Sequence, residues 1–198
     1  MQKWKQLGKD IDGEADDDQS GYSVSLSADG KTVAIGAPYN NGDDTSNSNR
    51  GHVRVHRINE YGNWTQIGQD IDGEARKDNS GYSVSLSADG NTVAIGAHLN
   101  NGDDTSNSNR GHVSVHKFVN DNWTQIGEDI DGEAVDDQSG YSVSLSADGK
   151  RVAIGARRND GDDTFNSNRG HVRIYELKRK INKLDKQPVL KEAGCILQ

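Results

Sequence analysis

Apolar and small polar residues alternate along Tyr22-Ser23-Val24-Ser25-Leu26-Ser27, and the same period-2 pattern returns in Thr32-Val33-Ala34-Ile35-Gly36-Ala37. Alternation of this kind predicts strands that expose one face and bury the other. Between the two runs, Ala28-Asp29-Gly30-Lys31 supplies turn residues, so the stretch 21–37 reads as a β-hairpin. The pattern recurs as GYSVSLSADGNTVAIGA from Gly81 and GYSVSLSADGKRVAIGA from Gly140. Trp4, Trp64 and Trp123 mark one equivalent position in each repeat. Calling the hairpin strands a and b, a strand c is predicted at 52–56, 112–116 and 171–175. A strand d is predicted at 64–68, with equivalents at 4–8 and 123–127. A repeat of about 60 residues with four strand signals suggests a propeller blade or a β-solenoid.

The face of strands a and b opposite the apolar one carries Ser23, Ser25, Ala34 and Gly36. Side chains this small suit sheets crowded together near an axis, and so favour a propeller over a free-standing sheet. The expected fold class is therefore all-β: a β-propeller built from three four-stranded repeats at about 4–63, 64–122 and 123–175. Residues 176–198 form a separate basic tail, where Leu177, Ile181 and Leu184 space an apolar stripe on a short helix ending before Pro188.

Closure is the difficulty in this scheme. Propellers have four to eight blades, and the third repeat has no strand d of its own. The spare strand d, at 4–8, predicts a head-to-tail homodimer in which each chain completes the third blade of the other. A fragment of a longer array is the alternative.

The residues SVSLSADG, TVAIGAP and GHVRV resemble the FG-GAP repeats of integrin-α-type β-propellers, in the bacterial and algal subgroup with W-x-Q-x-G-x-D-I-D-G-E-A linkers. The resemblance covers about 4–175. It implies a propeller that binds proteins or carbohydrates, extracellular or at a cell surface, usually without catalysis. The family's calcium loop lies between strands a and b, where this chain has one carboxylate per copy (Asp29, Asp89 and Asp148). Calcium takes six to eight oxygen ligands, so these are read as turn residues. No cofactor is expected, and calcium only as an outside option.

The long b–c loops gather side-chain oxygens, which makes them the candidate ligand-binding surface. Their residues are Asp43, Asp44, Asn47 and Asn49, then Asp103, Asp104, Asn107 and Asn109, then Asp162, Asp163, Asn166 and Asn168. The function expected is a non-catalytic interaction module binding a protein partner through these loops. A lectin-like, cation-assisted carbohydrate binder is the alternative. No enzyme is expected, because near-identical repeats spread the same groups apart whereas catalysis needs different groups at one point. Between 21–56 and 81–116 only Lys31/Asn91, Pro38/His98, Tyr39/Leu99 and Arg54/Ser114 differ. Asymmetry would have to come from non-repeated residues such as Tyr39, His98, Arg157, Arg158 and Phe165. His52, His112 and His171 recur once per repeat and read as strand-surface or inter-blade residues rather than sharers of one metal.

Charge narrows the partners. The net charge is −8, but six Lys or Arg against three carboxylates lie beyond Tyr175, leaving 17 basic and 28 acidic residues, a net of −11, on the repeats. An acidic body repels phosphate backbones, so nucleic acid is not an expected partner. No signal peptide is read in the opening residues. The single cysteine heads Cys195-Ile196-Leu197-Gln198, a C-a-a-X box of the farnesyl class behind a basic segment. Cytoplasmic residence with a prenyl anchor is thus the alternative localisation.

Overall fold

The computed structural model describes residues 1–42, 48–101, 108–161 and 167–178. Three antiparallel sheets follow one another along the chain. The first is built from β1 (Ser23–Leu26), β2 (Thr32–Ala37), β3 (His52–Ile58), β4 (Trp64–Gln66) and β5 (Ile71–Asp72), in the order β1-β2-β3-β4 with β5 also on β3. The second repeats it with β6 (Ser83–Leu86), β7 (Thr92–Ala97), β8 (His112–Val119), β9 (Asn122–Gln125) and β10 (Ile130–Asp131). Among the described residues the third holds β11 (Ser139–Leu145), β12 (Arg151–Ala156) and β13 (His171–Glu176). Among the described residues there is no helix, and none is long and apolar enough to cross a membrane. The expected C-terminal helix, and Cys195 with it, lie outside the described residues.

Each hairpin is closed by its own side chains. Ser27 Oγ donates to Asp29 Oδ1 (2.7 Å), which also accepts the Lys31 N–H (3.0 Å), and Ser27 Oγ accepts from Thr32 N–H (3.0 Å). These bonds, the Ser27 hydroxyl foremost, hold the Asp29 carboxyl below its ordinary range. Gly30 takes φ 68°, the left-handed conformation the turn requires. The linkers into the sheets are anchored by buried aspartates. Asp78 accepts from Ala75 N–H (2.7 Å) and from Asn100 Nδ2 (3.0 Å), and Asp18–Asn40 and Asp137–Asn159 repeat the pairing.

The sheets stack face on face through the small residues picked out in the sequence. Ser23 Oγ donates to the Gly81 carbonyl (2.7 Å), and Leu86 N–H donates to Ser25 Oγ (2.9 Å). Ser83 and Ser85 make the same bonds to Gly140 and Leu145. Behind this seam, Ala34, Val53 and Val55 of the first sheet pack on Leu86, Val93 and Ile95 of the second. Ala94 and Val113 of the second pack with Val152 and Ile154 of the third. Gly36 is needed because a Cβ there would collide with the Gly81 carbonyl of the adjoining sheet, and Gly96 stands likewise against Gly140.

Strand d departs from expectation. Trp64 and Trp123 do pair with the strand-c edge, opposite Ile58 and Phe118. Residues 4–8, however, form no strand, and Trp4 is exposed. A strand needs a neighbour to take its backbone hydrogen bonds, and 4–8 pair with no strand of the described chain. The short β5 and β10, in the Ile-Asp of each linker, were missed because two residues carry no periodicity. They form because Ile71 is drawn into the core, opposite Val53.

Candidate functional site

Three of the residues that differ between repeats fall at one structural position, just past the end of strand b. Pro38 follows β2, His98 follows β7, and Arg157 follows β12. His98 and Arg157 adjoin two of the tyrosines that open strand a, Tyr82 and Tyr141, and Tyr22 is the third of that set. Because the sheets stack, these rings form a ladder, with centroids 4.8 Å apart for Tyr22–Tyr82 and 5.1 Å for Tyr82–Tyr141. His98 enters this ladder, 3.8 Å from Tyr82 and 5.7 Å from Tyr141, ring centroid to ring centroid. Tyr39 meets Tyr22 edge-on at 6.3 Å, and the Arg157 guanidinium lies 4.1 Å over the Tyr141 ring, a cation–π contact. Arg157 Nε also donates to Gln138 Oε1 (2.9 Å).

The electrostatics of the cluster are those of a buried, uncharged base beside fixed positive charge. Burial, then the charges of Arg157 and Arg158, lower His98 to about 4. His98 Nδ1 is buried without a hydrogen-bond partner. Burial and the hydroxyl contacts with Tyr141 and Tyr22 push the Tyr82 phenol up. Beside the arginines opens a cavity of about 620 Å³, lined by Val135, Asp136, Arg157, Arg158, Asp160 and Asn168. Of the non-repeated residues named from the sequence, Tyr39, His98 and Arg157 meet along the ladder, Arg158 lines the cavity, and Phe165 lies outside the described residues. The signal for this site was divergence between otherwise near-identical copies.

Of the loop residues proposed as ligands, Asp43, Asp44, Asn47, Asp103, Asp104, Asn107, Asp162, Asp163 and Asn166 lie outside the described residues. Asn49, Asn109 and Asn168 stand at the loop ends with φ of 45°, 41° and 46°. Their backbone N–H groups donate to Asn41, Asn101 and Asp160 side chains, at 3.1, 3.1 and 2.9 Å.

A second constellation was missed in the sequence because it joins two linkers to a strand. His52 Nδ1, in a buried ring, stands 3.9 Å from both Glu14 Oε2 and Asp70 Oδ2. Glu74, His112 and Asp129 repeat the arrangement, and in each set the three ligand atoms lie within 4.8 Å of one another. Of the two placements expected for these histidines, strand surface or between blades, His52 and His112 do not take the first: both are buried. Burial and then the Asp129 carboxylate raise the Glu74 pKa. Imidazole with two carboxylates is a donor set that suits a divalent transition metal. The third copy has Glu133 at 3.6 Å from His171 Nδ1, with no third carboxylate from the described chain grouped with them.

No family model matches the chain, so none supports the FG-GAP resemblance, and no curated protein matches it. Solved structures do show similarity. A protein assigned as a 6-phosphogluconolactonase from Bacteroides uniformis is 14% identical over 80% of this chain and 37% of its own, with a TM-score of 0.49. The periplasmic gluconolactonase of Pseudomonas aeruginosa is 16% identical over 68% of this chain and 36% of its own, TM-score 0.44. Hydrazine synthase of Kuenenia stuttgartiensis is 16% identical over 78% and 45%, TM-score 0.42. The chain spans less than half the length of each.

These neighbours overturn the expectation of a non-catalytic interaction module, and with it the expectation that the chain is not an enzyme. Two of the three are named as lactonases and the third as a synthase. The physical error lay in treating repetition as dispersal. The exceptional residues do converge, because stacking brings equivalent positions of successive sheets within contact. The cell-surface, integrin-like and protein-binding expectations gain no support.

Proposed function

We propose that the three sheets are adjacent blades of a β-propeller, and that the tyrosine ladder with His98, Arg157 and Arg158 is the active site of a hydrolase for a small anionic ester or lactone. One observation carries this reading: a buried, neutral imidazole whose Nδ1 has no partner, set between aromatic rings and next to two guanidinium groups. An unpaired buried nitrogen costs about 1–3 kcal/mol, a cost tolerated at sites where function uses the group.

The arginines hold the substrate's carboxylate or phosphate, and the tyrosine faces stack on its ring. That anion offsets the two positive charges and draws the His98 pKa up from about 4 towards the range where a base is effective. His98 then takes a proton from water as the oxygen attacks the carbonyl carbon. The acyl C–O bond breaks, and the proton passes back to the departing alkoxide.

Hydrolysis of glucono-δ-lactone, its 6-phosphate and neutral p-nitrophenyl acetate, followed in a pH-stat, tests this. The phosphorylated lactone is expected to be the best of the three. His98→Phe should lower its kcat by about 100-fold or more, and Arg157→Ala should chiefly raise KM. Rates no faster than buffer on all three, or full activity in His98→Phe, would refute the assignment.

A further inference from the structure

We propose that a second copy of this chain docks on the open faces of the stack, its residues 3–12 completing the third sheet, so that two chains close a six-bladed ring. This rests on the blade reading and is independent of the chemistry at His98. The two internal junctions show what each face accepts. Leu86 is 7% exposed beneath the first sheet, while its equivalent Leu26 is 59% exposed. Val55 is 0% exposed beneath the second sheet, while its equivalent Ile174 is 72% exposed. The stack thus ends in one apolar face of each kind, and the occupant each fits is the other. A heterologous contact of this type either closes into a ring or runs on.

The strand edges say the same in finer detail. Trp123 is 4% exposed, with its indole N–H donating to the Ile67 carbonyl (2.8 Å) and its ring over Gly68, where a Cβ would lie 2.7 Å from Cδ1. Trp64 uses the Leu7 carbonyl (2.8 Å) and the space over Gly8 in the same way. Over Gly127 no indole of the described residues sits, and the nearest of their atoms to a Cβ is Leu177 Cδ1 at 3.8 Å. A cavity of about 500 Å³ opens there, lined among others by Ile126, Gly127, Tyr175 and Leu177. The indole equivalent to this seat is that of Trp4, 99% exposed.

Transferring the register of β8 with β9, in which Phe118 faces Trp123 and Lys117 faces Thr124, sets Leu177 opposite Trp4 and Glu176 opposite Lys5. The internal junctions pair a base with threonine at that place (Arg57–Thr65 and Lys117–Thr124). Only the terminal pair carries opposite charges, Lys5 and Glu176, which favours this cross-strand match. The same docking brings Asp10, equivalent to Asp70 and Asp129, to the Glu133–His171 pair. The second copy thereby supplies the carboxylate that the third cluster lacks.

Sedimentation equilibrium of the full chain is the test. The wild type should weigh twice the 21.5 kDa chain mass. Trp4→Ala, a change at an exposed side chain with the far-UV circular dichroism expected unchanged, should raise the dimer dissociation constant about 30-fold or more. Lys5→Glu and Glu176→Lys should each weaken the dimer, and the double variant should recover it. A wild type that stays at the single-chain mass, a dimer indifferent to Trp4→Ala, or species that grow without limit would each overturn the closed ring. Lactone hydrolysis by the monomeric variant reads the His98 assignment separately.

Discussion

Gly36, Gly96 and Gly155 occupy the same place in three near-identical hairpins, yet replacing them by alanine should have different consequences. None has a positive φ, so the backbone tolerates alanine, and the lost chain entropy of glycine even favours it by about 0.5–1 kcal/mol. The difference is what the new methyl meets. At Gly36 it meets the Gly81 carbonyl and at Gly96 the Gly140 carbonyl, both backbone atoms of the next sheet that no rotamer change can move. The sheets must separate, breaking the Ser23–Gly81 or Ser83–Gly140 hydrogen bond. Overpacking of this kind costs about 1–3 kcal/mol, and a lost hydrogen bond adds about 1 kcal/mol. At Gly155 the methyl meets only the Ser142 side chain, whose hydroxyl can rotate away. The measurement is thermal and urea unfolding of the three variants in a Trp4→Ala background, which keeps the third face uncovered. Gly36→Ala and Gly96→Ala should lose about 2 kcal/mol, lowering Tm by roughly 4–8 °C for a chain of this size, while Gly155→Ala stays within about 1 kcal/mol of its parent. Equal shifts at all three positions would refute the stacking argument.

The remaining predictions concern buried groups. His98 is neutral in the folded state, with its pKa lowered to about 4 by burial. Its contribution is therefore fully present above pH 6.5 and is lost as pH falls from 6.5 through 4. That loss is about 3 kcal/mol, and urea midpoints measured across this window should show a shallower fall in His98→Phe. Trp123→Ala removes a buried indole and should cost about 3–5 kcal/mol, whereas Trp4→Ala should leave the unfolding of the isolated chain nearly unchanged, as seen by calorimetry. Asp78→Ala leaves the Ala75 N–H without its carboxylate and removes a partner of the Asn100 amide. It should cost about 2–4 kcal/mol in chemical denaturation, with Asp78→Asn recovering part of the loss.

The sequence by itself determined the hairpins and their register. Alternation fixes which side chains share a face, and the Ser27-Ala28-Asp29-Gly30 turn fixes where the chain reverses, both through contacts within a few residues. It also marked the positions at which the repeats diverge. Only the tertiary structure decided what those faces and positions became. Leu26 and Leu86 sit in identical local sequence, yet one is exposed and the other is core, because burial is set by the sheet that comes to lie against a residue. His98 and Arg157 belong to different repeats, 59 positions apart, and the stacking of sheets is what brings them to one cluster. The Glu14–His52–Asp70 set likewise joins two linkers and a strand that no local pattern connects. Residues near in sequence share a strand's geometry, whereas these groups meet only through packing between sheets.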